Sequence, residues 1–378
     1  MKLTKPSIFI LHFFDIGRYP PAFNLIKYFS DSKYFEKIII SSRSKYAVSY
    51  DNVLWKNSGN NENKNTIFRI SDYLTYYFKC LLHLLKYQPD NILYYESLSF
   101  PPAMMYSLLR KVYFKKTKIY CHYHEYSTSQ QYQSGMFLMK IANIFEKKWY
   151  NTFDWISHTN TKRLELFIKD NQGIKTENLH ILPNYPPANW SVNKKEYNYG
   201  KIIKIVYVGS LDLNTMYTKE FSEWVISQNG KVIWDVYSGQ LNAETLEYFN
   251  KLSTPYIQFL GRIDYTKLPF TLIQYDLGVI LYKGKHINMI YNEPNKYFEY
   301  ITCGLDVWFP KEVLGMQNNI QTTKKPLVLS LDFNNLSKND LLTIINTEYP
   351  HEYRSYIAEE VYKTLLGKII ESKDDHRN

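Results

Sequence analysis

Short apolar runs rich in Ile, Val, Phe and Tyr alternate along this chain with longer stretches whose apolar residues recur every three or four positions, the pattern of strands separated by helices. In the first half, residues 8–14, 37–41, 66–70, 91–95, 118–123, 155–159 and 180–182 read as strands. Helices are expected after Pro20 and Pro21, over 71–86, from Pro101 and Pro102, between 123 and about Tyr150, and from about Asn160. Strands linked by helices imply parallel pairing, with helices on both faces of a sheet. The segment Pro183-Asn184-Tyr185-Pro186-Pro187 stops the pattern, because proline fixes its own φ and restricts the residue before it. A polar stretch to Tyr199 follows, and alternation restarts at 202–208, 232–237, 257–260, 277–282 and 327–331. The expected architecture is therefore α/β, with one doubly wound domain over residues 1–187 and a second over 188–352. A last apolar-periodic segment from 353 to about 370 has no strand to follow, so residues 353–378 are expected to return as a helix toward the N-terminal domain.

Composition narrows the class. A chain of 378 residues exceeds what one core usually organises, and 45 % hydrophobic with 22 % charged residues excludes a disordered or fibrous protein. No apolar run reaches the roughly 18 residues needed to span a bilayer. The run at 8–14 carries His12 and leads into Asp15, so it reads as a buried strand and not a signal peptide, which points to the cytoplasm. The cysteines, Cys80, Cys121 and Cys303, show neither a disulfide framework nor metal-ligand spacing. A net charge of +10 attracts anions in general, although a bias toward Lys, Asn, Ile and Tyr accounts for it equally well. Without a recognisable module, nucleic acid is not an expected partner.

In open parallel sheets, ligands bind beyond the carboxyl ends of the strands, where helix N-termini and loop amides converge. The loops to read are Gly209-Ser210, Ser238-Gly239, Gly261-Arg262 and 283–295. Gly209 permits close backbone approach to a ligand, and Ser210 offers a hydroxyl. Neither a dinucleotide fingerprint nor a Walker loop occurs. Between Asn292 and Leu305, Pro294 suits a helix start and Gly304 its C-terminal cap. Lys296 and Glu299 then share one face of the first turns, beside amides that can receive an anion; the competing reading is an ordinary surface pair. In the first half, Asp15, Glu96, His124 and Glu125 follow strands, where each can orient or deprotonate a hydroxyl or simply cap a helix.

Taken in order, Val206-Tyr207-Val208-Gly209-Ser210, Phe259-Leu260-Gly261-Arg262, Leu268-Pro269, Tyr275-Asp276-Leu277-Gly278-Val279, and Pro294-Asn295-Lys296 with Phe298-Glu299-Tyr300 and Gly304-Leu305 resemble the donor domain of family 4-like GT-B glycosyltransferases. Gly17-Arg18 with Pro20-Pro21, His124-Glu125, Asp154-Trp155-Ile156 and Leu182-Pro183-Asn184 are looser echoes in the first half. The resemblance implies two Rossmann-like domains facing a central cleft that holds a nucleotide-diphosphate sugar. Glu299 would accept hydrogen bonds from the ribose hydroxyls, and backbone at Arg262 and Ile263 would hold the base. Lys296, Arg262 and the amides after Asn292 would face the diphosphate, while Gly209 and Ser210 are donor-binding candidates on their own chemistry. Two positions depart from the family pattern: Tyr291 stands where an earlier glutamate belongs, and Ser210 where an arginine often follows the glycine. No DxD triplet occurs, so neither a metal nor any cofactor besides the donor is expected.

The implied reaction is sugar transfer, with retention of configuration, to a glycan or lipid-linked acceptor in surface or secreted polysaccharide synthesis. The implied place is the inner membrane face, met as an anionic surface by the basic aromatic segments 76–79 and 111–118. The alternative reading is a non-catalytic nucleotide-sugar-binding protein with a degenerate donor site.

Overall fold

The computed structural model describes residues 5–43, 49–58, 66–112, 117–135, 137–192, 202–239, 241–252, 254–338, 341–352, 354 and 356–374. They form two compact units, one of residues 1–183 with 358–378, the other of 184–357.

The first unit runs β1 (Ser7–His12), α1 (Pro20–Asp31), β2 (Lys37–Ser42), β3 (Val53–Asn57), α2 (Thr66–Tyr87), β4 (Asn91–Tyr95), α3 (Phe100–Val112), β5 (Lys118–Tyr123), α4 (Ser129–Ser134), α5 (Phe137–Lys147), β6 (Trp155–His158), α6 (Thr161–Asp170) and β7 (Leu179–Ile181). Its sheet is parallel in the order β3-β2-β1-β4-β5-β6-β7. The order reverses between β1 and β4, and strands β1, β4 and β5 are almost entirely buried, as a sheet covered on both faces requires. Local chemistry sets the helix starts: prolines open α1, and the Asn160 side chain accepts the Arg163 amide at 2.9 Å to cap α6.

The second unit runs β8 (Ile203–Val208), α7 (Thr218–Ser227), β9 (Val232–Tyr237), α8 (Ala243–Lys251), β10 (Ile257–Gly261), α9 (Leu268–Leu272), β11 (Leu277–Val279), α10 (Ile287–Ile290), α11 (Asn295–Thr302), β12 (Asp306–Pro310), β13 (Val328–Leu331) and α12 (Leu341–Asn346). The parallel order is β10-β9-β8-β11-β12-β13, with the reversal between β8 and β11. Side chains alternate to two cores: Ile203, Ile205 and Tyr207 of β8 point to one, Val206 to the other, where α11 packs. The last helix, α13 (Ala358–Asp374), belongs to the first unit, where the Tyr362 hydroxyl donates to the Pro21 carbonyl at 2.9 Å.

Three elements differ from the sequence reading. Residues 66–70 are the first turns of α2, not a strand; apolar positions 70, 74, 78 and 82 keep helical spacing, which outweighs a local β-branched and aromatic run. Strand β3 was not expected, because as an edge strand it buries only Val53. Strand β12 was hidden behind Gly304, and its five residues are all buried, so they show no alternation. Among the described residues no helix is long and apolar enough to cross a membrane.

Candidate functional site

At the carboxyl end of β8, next to the reversal of strand order, the second unit buries a lysine. Lys296 is 9 % exposed, and its ammonium donates to the Tyr207 hydroxyl at 2.9 Å. Tyr207 in turn donates to the Ser210 carbonyl at 2.6 Å, tying the lysine to the loop after β8. The ammonium lies 4.1 Å from the Tyr207 ring centroid and 5.3 Å from that of Tyr282, two contacts that attract a cation. Above it the chain turns at Gly209, with φ +131°, where a Cβ would stand 3.0 Å from Lys296 Nζ. A side chain is thus strained there by conformation and would crowd the lysine.

The helix carrying Lys296 is fixed with unusual closeness. Gly278 of β11 faces Tyr300 of α11, and a Cβ on that glycine would fall 2.1 Å from the tyrosine ring. Tyr300 reaches through this gap, and its hydroxyl accepts the Val208 amide at 3.0 Å. On its other side α11 rests on aromatic rings: Tyr185 and Tyr356 lie 4.8 and 4.9 Å from Phe298. Pro294 precedes the helix as its N-cap, and Gly304, at φ +87°, ends it. Leu305 closes that end by donating to the Tyr300 carbonyl at 2.9 Å.

One turn beyond Lys296, Glu299 is 6 % exposed. Burial pushes its carboxyl up to about 7, opposed by the Lys296 charge and a hydrogen bond with Tyr265. Burial likewise pushes Lys296 down to about 7, with Glu299 opposing. Each group is therefore held in an environment that disfavours its charge. Asn292 is half-buried, and its carbonyl lies over Gly315, where a Cβ would come within 2.6 Å of it. Arg262 is exposed on the loop after β10, two strands from β8, with its side chain 3.3 Å from where a Gly239 Cβ would lie; Ile263 beside it is half-buried, and the Ser210 side chain is exposed. The structure thus gathers Gly209, Ser210, Lys296 and Glu299 around one strand end. Sequence reasoning missed Tyr207, Tyr282 and Tyr265, the groups that hold this pair; the inward alternation of β8 was the available signal for Tyr207.

In the first unit the candidates lie at the carboxyl ends of β1, β4 and β5. Glu96 follows β4 with φ +61° and ψ 153°, a conformation nearly confined to glycine. Its Oε1 accepts the amides of His124 and Glu125 at 2.7 and 3.3 Å. Burial, and then the charge of Glu125, pushes its carboxyl up to about 8. His124 stacks on Tyr95 and Tyr19, with centroids 4.9 and 4.8 Å away, and His12 lies 5.8 Å from it. Burial lowers both imidazoles, His12 to about 4, so both are neutral at pH 7, and Nε2 of each is buried without a hydrogen-bond partner. Glu125 is exposed. Asp15 accepts the Gly17 amide at 3.0 Å and lies 3.7 Å from Arg18, which makes it a cap. The segment 76–79 does not present its aromatics together, since Tyr76 is buried while Phe78 is 63 % exposed. Of 111–118, residues 113–116 lie outside the described residues, and Lys118 lies 3.8 Å from Asp154.

No family model matches the chain, and no curated protein matches it in sequence. Solved structures do match in fold. Anabaena Alr3699/HepE in complex with UDP-glucose has a TM-score of 0.66 at 10 % identity, covering 97 % of this chain and 100 % of that one. The lipopolysaccharide outer core galactosyltransferase WaaB, in its apo form, has a TM-score of 0.65 at 12 % identity, covering 97 % and 99 %. A Listeria monocytogenes chain assigned as a UDP-N-acetylglucosamine 2-epimerase has a TM-score of 0.62 at 12 % identity, covering 98 % of each. With two parallel α/β sheets of seven and six strands, this chain has the GT-B fold shared with these structures.

Proposed function

We propose that this protein is a glycosyltransferase that takes a sugar from a nucleotide-diphosphate donor held by the second unit. The observation that carries the reading is the buried Lys296–Glu299 pair beneath Gly209, at the strand end where an open parallel sheet binds its ligands. A lysine pushed down to about 7 by burial, even with Glu299 opposing, regains its full charge when a diphosphate arrives. Glu299, as a carboxylate, accepts two hydroxyl hydrogen bonds of a ribose, which replace the solvation lost on burial. Gly209 lets the backbone meet the phosphates, and the first-turn amides of α11 add their dipoles. Negative charge grows on the departing nucleotide as the glycosidic bond breaks; in this reading Lys296 opposes it, with Arg262 reaching in from the loop after β10, and no divalent metal is invoked.

The acceptor belongs to the first unit in this reading. Glu96, strained and raised toward 8, is the preferred group to take an acceptor proton, beside the neutral His124 whose backbone amide it accepts. The acceptor is a glycan or lipid-linked saccharide at the inner membrane face, and retention of configuration follows the family resemblance.

The test is incubation with UDP-, GDP- and ADP-sugars, with and without a saccharide primer and with EDTA. Release of nucleoside diphosphate together with primer extension, undiminished by EDTA, supports the proposal. Donor epimerised without transfer assigns the fold to the other chemistry. Binding without turnover, which Tyr291 in the place of a second glutamate favours, leaves a nucleotide-sugar-binding protein.

A further inference from the structure

Helix α2 is apolar on both sides. Tyr73, Tyr76, Cys80 and Leu84 point into the core, as a surface helix requires. Its opposite side carries Ile70, Leu74, Phe78, Leu82 and Leu85, exposed by 42 to 63 % and spaced four, four, four and three residues apart. Such spacing is a continuous stripe along the helix, where charged residues are the rule.

The stripe continues on its neighbours. From β1 to β3 the chain moves one way across the sheet, and from β3 through β6 the other way. Right-handed crossovers therefore put α2, α3 and α5 on the face opposite α1, and α2 touches α3 as α3 touches α5. Met105, Leu108 and Leu109 of α3 are exposed, as are Phe137, Ile144 and Phe145 of α5. These three helices hold 11 of the 21 exposed large hydrophobic residues among the described residues, a concentration beyond scattered surface exposure.

Charge identifies what covers this face. Lys79 and Lys86 are exposed on α2, as are Lys140 and Lys148 at α5, at helical spacing from Leu82, Ile144 and Phe145. The two carboxylates among the described residues of α2, α3 and α5 are withdrawn: Asp72 pairs with Arg43 at 3.4 Å, and Glu146 is fully buried. The imidazole of His83 is lowered by burial and then by Lys56, Lys86 and Lys79, an independent sign of the positive field around α2. A second copy of the chain would set this positive stripe against itself in a two-fold contact, which like charges oppose. An anionic bilayer accepts both features, with apolar side chains at the acyl boundary and lysines among the headgroups.

We infer that the outer face of α2, α3 and α5 docks on an anionic phospholipid bilayer, with these helices lying in the plane of the interface. The inference stands on this surface alone and is independent of the donor site. It would place the first unit at the surface where a lipid-linked acceptor resides.

The experiment is flotation of the whole protein with vesicles of phosphatidylglycerol and phosphatidylcholine, beside phosphatidylcholine alone. The protein should float with the anionic vesicles only, and less as salt rises. Lys79→Gln and Lys86→Gln should each weaken partition about fivefold, the equivalent of about 1 kcal/mol per basic residue near the surface. Leu74→Glu with Phe78→Glu should abolish flotation while melting and nucleotide binding stay unchanged, and Leu246→Glu on α8 should float like the parent. Failure of the parent to float with anionic vesicles, or undiminished flotation of the double glutamate variant, overturns the inference. A vesicle-free dimer that this variant converts to monomer, read by sedimentation velocity, overturns it in favour of a self-interface.

Discussion

Replacing Lys296 by methionine separates a binding lysine from a structural one, because the two roles predict opposite effects on stability. Burial takes the ammonium from 10.5 to about 7, so at pH 7 the folded state works against roughly 4 kcal/mol that the unfolded chain does not meet. Methionine fills similar volume without charge. Against that gain stand the lost Tyr207 hydrogen bond and a Glu299 carboxyl pushed further up, together about 2 kcal/mol. Lys296→Met should therefore stabilise the protein by about 1–3 kcal/mol, in line with apolar replacement of other buried ionic groups. A group whose folded pKa is depressed below its unfolded value loses stability as pH falls from 10.5 toward 7, so the gain should shrink on titrating up to pH 10. Nucleoside diphosphate affinity should fall by about 10- to 150-fold, the equivalent of 1.5–3 kcal/mol for a hydrogen bond to a charged group. Differential scanning calorimetry at pH 7 and pH 10, with titration of UDP, GDP and ADP, reads both quantities. A destabilised variant with unchanged nucleotide affinity would refute the reasoning and make Lys296 part of the scaffold.

Two further outcomes follow from the same geometry. Gly278→Ala places a Cβ 2.1 Å from the Tyr300 ring, so it should destabilise the second unit by about 1–3 kcal/mol or more, read by urea titration, and weaken nucleotide binding because α11 must shift. Glu96 acts as a base only when ionised and is raised to about 8, so transfer should rise with pH through that value; Glu96→Gln should remove the ascending limb and lower the rate by about 100- to 10,000-fold.

Much of this was written in the local pattern. Pro20, Pro294, Gly304 and Asn160 are read from sequence because each acts on its own backbone or on an amide three residues away, and Lys296 and Glu299 are paired by helical spacing alone. What sequence hides is contact between distant segments. Nothing local says that Tyr207 receives Lys296 across 89 positions, or that Gly278 is small so that Tyr300 can reach Val208. Hydrophobic periodicity does not separate the core side of α2 from its outer side, since a helix apolar on both sides carries no amphipathic contrast. Strand β12 failed the same test from the other direction, being too short and too uniformly apolar to show a period.

The central claim, that a nucleotide donor is held through Glu299, is tested most directly by calorimetric titration of nucleoside diphosphates into the parent protein, Glu299→Gln and Glu299→Ala. The parent should bind one of the nucleotides, and Glu299→Ala should lose about 10- to 150-fold in affinity, the worth of hydrogen bonds to an ionised carboxylate. Glu299→Gln, which keeps one acceptor, should lose less, and both variants should melt normally. Binding undiminished in Glu299→Ala with its fold intact, or no nucleotide bound by the parent, would contradict the account.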